Sequence, residues 1–190
     1  LNYLAHIALS PEDPDIMLGN FIADSVRPND VEQWSSGIQE GYELHKGIDK
    51  YTDAHPAFKS AVKRLRDNHK KYAPVVLDIL NDHLLGKYWK RYEVTDFNKW
   101  SEAIYKKLEG FGEFQFPPKA ERLYDGLMKH RYLHVYQSRE GIEGVLSRMD
   151  KRARFTSNFV QGASDLYEDI SFYEAKFDEL YGDLQKEFCE

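Results

Sequence analysis

Apolar residues recur at helical spacing along nearly the whole chain, and prolines stand where fresh runs begin. This pairing limits what the chain can fold into more than any other feature. In PDIMLGNFIADSV, Ile16, Leu18, Phe21 and Ile22 follow Pro14. Proline suits a first helical turn, where its missing N–H would have no partner anyway. A long helix is expected over about 31–53, with Ile38, Tyr42 and Ile48 inward. Pro56 and Pro74 open two more, over about 56–71 and 74–92. Others are expected over about 95–108, 119–136, 139–149 and 156–188. Signals for strands are sparse. The expectation is an all-α, single-domain bundle of about seven helices spanning residues 1–190.

With 190 residues, 42% hydrophobic and 14% aromatic, the chain can fill one core. The formal net charge of -6 argues against a general nucleic-acid binder. The only cysteine, Cys189, supports neither a disulfide framework nor a thiolate zinc site. The opening LNYLAHIALS has no basic flank and does not read as a signal peptide. No run approaches the ~20 apolar residues a membrane span needs. A cytoplasmic protein without membrane or nucleic-acid partners is expected.

Several acids and imidazoles stand beside large apolar residues. His6 interrupts NYLAHIAL, and Asp24 ends GNFIAD. His45, Asp49 and Asp53 fall at i, i+4 and i+8 in YELHKGIDKYTDAHP. Asp78 and Asp82 share a face of the most apolar helix, with His83 beside them. Each has a plain structural explanation: a hydrogen-bonded core histidine, a turn, a surface stripe, or a cap at Asp53 before His55-Pro56. Buried carboxylates, however, need a partner or a cation. Together these residues resemble an oxygen-and-imidazole site for Mn²⁺, Mg²⁺ or Fe²⁺, built on several helices. His55 and His69 read as surface residues, and His130 and His134 as structural or surface ones.

One segment runs against the net charge. In HPAFKSAVKRLRDNHKKYAP, Lys59, Lys63, Arg66 and Lys70 recur at i, i+4, i+7 and i+11, which is one helical face. Such a face is either simply solvated or a dock for an acidic partner. Arg148, Lys151, Arg152 and Arg154 form a second basic cluster. Phe111, Phe114 and Phe116 in the loop GFGEFQFPP either fold back on the core or cover an apolar ligand.

The order NYLAH, GNFIAD, HKGID with a following TD, then LDILNDHLL and a nearby tryptophan, resembles the acyl carrier protein phosphodiesterase family. The strong blocks cover roughly the first half of the chain; the second half matches in helical character and length. The resemblance implies a divergent, all-helical relative of the HD phosphohydrolases. It implies removal of 4′-phosphopantetheine from holo-acyl carrier protein, with Mn²⁺ the favoured metal. Carried over, it makes His6, Asp24, His45, Asp49, Asp78 and Asp82 candidate ligands. It puts Asp82 and His83 at the chemistry, His83 as the candidate general acid or base. Lys59, Lys63, Arg66 and Lys70 would then steer an acidic carrier. One departure stands out: the HD order is His then Asp, whereas here the pair is Asp82-His83. Two rivals remain open: an HD-like phosphohydrolase for a nucleotide or other small phosphoester, and a non-catalytic helical module that binds an acidic protein.

Overall fold

A computed structural model describes residues 1–153 and 157–189. Among them are twelve α-helices and no strand. They are α1 (Tyr3–Ala8), α2 (Pro14–Ile22), α3 (Pro28–Val31), α4 (Ser36–Ala54), α5 (Pro56–His69) and α6 (Ala73–Lys87). Then come α7 (Trp89–Tyr92), α8 (Phe97–Leu108), α9 (Pro118–His130), α10 (Arg139–Asp150), α11 (Gly162–Glu168) and α12 (Ile170–Phe188). The all-α class is as expected, and no helix of the described residues is long and apolar enough to cross a membrane.

Helices outnumber the expected seven because several runs break. The run over 31–53 starts late: Val31 belongs to α3, and the Ser35 hydroxyl caps the Ile38 amide to begin α4. Lys70 ends α5 with φ 51°, and Arg131 ends α9 in the left-handed region with φ 52°. Neither is glycine, so no residue type announced these stops. Tyr88 separates α6 from α7, and Asp169 separates α11 from α12. Arg154 and Thr156, which fall in the second basic cluster and the expected last helix, lie outside the described residues.

One continuous apolar cluster runs from Leu4 to Leu184. At its centre is α6, which touches α1, α5, α10, α11 and α12. That explains why its sequence is apolar nearly all round. The phenylalanine loop folds back: Phe114 packs edge-on to Trp34 at 5.3 Å, and Phe116 stacks on Tyr124 at 4.9 Å. His69 is buried, not superficial, with Nε2 2.6 Å from Asp165 Oδ2.

The tightest helix pair positions the site. A Cβ on Gly19 would lie 2.2 Å from the Ile38 carbonyl oxygen. A Cβ on Gly41 would lie 2.0 Å from that of Ile16. Only glycine fits at either point, so α2 and α4 touch backbone to backbone.

Candidate metal centre and adjoining cavity

Asn20 on α2 organises two histidines from two other helices. Its side-chain nitrogen donates to the His6 carbonyl at 2.8 Å and to Ser10 Oγ at 2.9 Å. Its Oδ1 must therefore accept, and it lies 2.8 Å from His6 Nδ1. His45 Nδ1 donates to the Asn20 backbone carbonyl, also at 2.8 Å. Both imidazoles thus carry a proton on Nδ1, which leaves Nε2 for another partner. The rings stack, with centroids 4.0 Å apart and planes 16° from parallel. Both Nε2 atoms are buried and neither completes a hydrogen bond.

What they face is carboxylate. Asp49 places Oδ1 3.2 Å from His6 Nε2 and Oδ2 3.2 Å from His45 Nε2. Asp24 Oδ1 lies 3.5 Å from His45 Nε2. His45 and Asp49 meet because four residues on α4 put them on one face. His6 and Asp24 reach them through tertiary packing.

Burial alone would push the His45 imidazolium down; the Asp24 and Asp49 carboxylates outweigh it and hold it up at about 9. His6 goes the other way, lowered by burial to about 4. Burial pushes Asp49 up, but the two histidines win and hold it well below the usual carboxylate range. Asp24 is also lowered, chiefly by His45.

A nitrogen lone pair aimed at a carboxylate oxygen is stable only with a positive centre between them. A proton serves one histidine. A divalent ion serves both, and His6, His45 and Asp49 bring donor atoms within 4.8 Å of one another. Two imidazoles oriented from behind, with carboxylate oxygens and no thiolate, suit a first-row divalent cation.

The other expected residues lie differently. Asp78 Oδ1 is 2.8 Å from the Leu1 nitrogen, which lies 4.0 Å from Asp49 Oδ1, so Asp78 is near the cluster but outside it. Asp82 is fully buried and serves α1: its oxygens accept from the Leu4 amide at 2.6 Å, Asn2 at 3.2 Å and Ala5 at 3.3 Å. These bonds satisfy a helix N-terminus, and Asp82 is not among the residues whose donor atoms converge. His83 is tied at both nitrogens, to the Tyr136 carbonyl at 2.7 Å and to the Tyr167 hydroxyl at 2.9 Å. The structure therefore does not bring Asp82 or His83 to the His6–His45–Asp49 group.

Asn20 is the functional residue that sequence reasoning missed. Its signal was an amide among Met17, Leu18, Phe21 and Ile22, where burial obliges a polar group to find partners.

A cavity of about 550 Å³ opens beside the cluster and has both Asp24 and Asp78 in its wall. Lys59, Lys63 and Arg66 border a neighbouring cleft with Asp53 and Pro74. Lys70, beyond the end of α5, is not part of that cleft. Among the described residues none of these four cations pairs with a carboxylate.

A helical protein with a histidine–aspartate cluster beside a cavity has the parts of a metal-dependent hydrolase. A family model for acyl carrier protein phosphodiesterase matches residues 1–184, and the chain belongs to that family. Curated relatives with this name include one from Salmonella paratyphi A, 30% identical over 80% of this chain and 79% of its own. One from Serratia proteamaculans is 25% identical over 98% and 97%. One from Photorhabdus laumondii is 29% identical over 95% and 89%. No solved structure matches the chain significantly.

Proposed function

We propose that this chain is a cytoplasmic, metal-dependent phosphodiester hydrolase that removes 4′-phosphopantetheine from holo-acyl carrier protein. Family membership supports the reaction. One observation carries the metal: two buried Nε2 atoms without hydrogen bonds, both facing Asp49. His6, His45, Asp49 and Asp24 would hold the ion, with Mn²⁺ the choice the family resemblance favours. When bound, such an ion polarises a phosphoryl oxygen and lowers the pKa of water.

The chain's own residues supply the rest. The serine–phosphate ester breaks, a water oxygen joins phosphorus, and the departing serine oxygen takes a proton. Asp78 lies in the cavity wall, placed to pass a proton to that oxygen; burial pushes its pKa up, and the Leu1 nitrogen beside it opposes the rise. Asp82 works at one remove: by capping α1 it fixes the helix that carries His6. Lys59, Lys63 and Arg66 offer the acidic carrier a docking face. Their cleft meets the start of α6 at Pro74, next to Val75 of the cavity.

The test is the intact mass of holo-acyl carrier protein after incubation with the protein and Mn²⁺, against a chelated control. Metal-dependent loss of the phosphopantetheine mass is expected, and loss of that activity in His45→Ala and Asp49→Ala. An unchanged carrier mass with metal bound would refute the substrate.

A further inference from the structure

The cavity beside the cluster is unlike the other clefts. Its wall also carries Arg148 and Arg152, four residues apart around the end of α10. In a protein with 32 acidic and 26 basic side chains, carboxylates are plentiful. Yet among the described residues neither arginine pairs with one. The Arg148 guanidinium lies over the Tyr132 ring at 5.9 Å, an aromatic support that leaves its N–H groups unused. Unpaired guanidinium groups on a cavity wall are suited to phosphate oxygens. The rest of the lining includes the apolar Val75, Ile79, Val145, Met149 and Phe159. Tyr3 and Tyr72 also line the cavity. The volume falls within the ~300–1,000 Å³ usual for small-molecule sites.

We propose that this cavity holds the phosphopantetheine arm of the substrate, with Arg148 and Arg152 gripping its phosphoryl oxygens and the apolar wall holding its chain. The assignment rests on the hydrolytic reading above. The chemistry of the arm matches the lining: one anionic end, then methylene and gem-dimethyl groups separated by amides. The anionic end belongs at the arginines, which share this cavity with Asp24 and Asp78, where a cation in the cluster offsets the carboxylate charge. After cleavage the phosphate stays on the arm, so the product occupies the same site and should inhibit. A second cleft also meets Asp24, lined by Arg27, Pro117, Lys119 and Arg122. There Lys119 already donates to the Asp24 carbonyl, and the cleft has no comparable apolar wall.

The experiment is calorimetric titration of the Mn²⁺-loaded protein with 4′-phosphopantetheine and, separately, with pantetheine. Phosphopantetheine should bind at least tenfold more tightly. Arg148→Ala/Arg152→Ala should weaken phosphopantetheine about 10–100-fold and leave pantetheine nearly unchanged, the scale of lost hydrogen bonds to a charged group. Val75→Trp, at a rim position that tolerates bulk, should weaken both ligands while Mn²⁺ still binds. Arg122→Ala should change neither. Phosphopantetheine binding that is undetectable in the parent protein, or unaltered in the double variant and Val75→Trp, would overturn the assignment. So would a loss confined to Arg122→Ala. A carrier left uncleaved by the parent protein would refute hydrolysis itself. Cleavage with isotherms indifferent to these substitutions would refute only the cavity assignment.

Discussion

Asn20 Oδ1 lies 2.8 Å from His6 Nδ1, at the back of the ring whose Nε2 faces Asp49. This bond turns a core amide into the support of the candidate metal centre. Asn20→Ala removes it, leaves His6 Nδ1 without its acceptor, and takes a donor from both the Ser10 hydroxyl and the His6 carbonyl, which keeps only its bond from Ser10 Oγ. Metal affinity should fall about 10–100-fold, the usual cost of losing a bond behind a ligand histidine. Stability should fall by about 1–3 kcal/mol from the stranded polar groups. Mn²⁺ titration and denaturant unfolding measure the two effects separately.

The stacked histidines differ in proton affinity, His6 near 4 and His45 near 9 against an ordinary 6.5. Between about pH 6.5 and 9 the metal-free folded protein holds a proton on His45 that the unfolded chain lacks, so stability falls as pH rises. Between about 4 and 6.5 the unfolded chain protonates His6 and the folded protein does not, so stability falls as pH drops. Chelated protein should therefore show a stability maximum near pH 6.5 from this pair, read from denaturation midpoints. Near pH 7.5, Mn²⁺ binding should release about one proton, because the ion displaces the one on His45. Calorimetry in buffers of different ionisation enthalpy counts it.

Asp82 offers a test of capping against coordination. Asp82→Ala leaves the amides of Asn2, Leu4 and Ala5 without their acceptor. A loss of at least ~1–2 kcal/mol is expected, as for other helix caps. The fraction still folded should bind Mn²⁺ nearly as tightly as the parent, as shown by titration below the unfolding midpoint.

Charge reversal of Lys59, Lys63 and Arg66 to Glu should raise the KM for holo-acyl carrier protein at least tenfold at low salt. It should leave kcat nearly unchanged, because the face guides approach and does not touch the ester. Hydrolysis of a small generic phosphodiester should not change. The KM difference should shrink above about 0.5 M salt. A fall in kcat on both substrates would mean the substitutions had disturbed the fold.

The helical class could be read from spacing alone because a 3.6-residue period leaves its mark locally. So could the adjacency of His45 and Asp49, since four residues on one helix place them together. The burial of Asp82 followed from its apolar neighbours, but its partners did not. They lie 77 to 80 residues away in sequence, at the start of another helix. Asn20 was hidden for the same reason: its bonds to His6 and His45 exist only once three helices meet. The stops at Lys70 and Arg131 were hidden because neither residue is of a type that favours a positive φ.

The two glycines between α2 and α4 have one more consequence. Where helices touch through side chains, rotamer changes loosen the contact before the fold is lost. Here the gap between Asn20 and His45 is spanned by main chain against main chain, which has no rotamers to relax. The geometry of the centre should therefore hold its register on heating and disappear with the cooperative unfolding of the helices, not ahead of it.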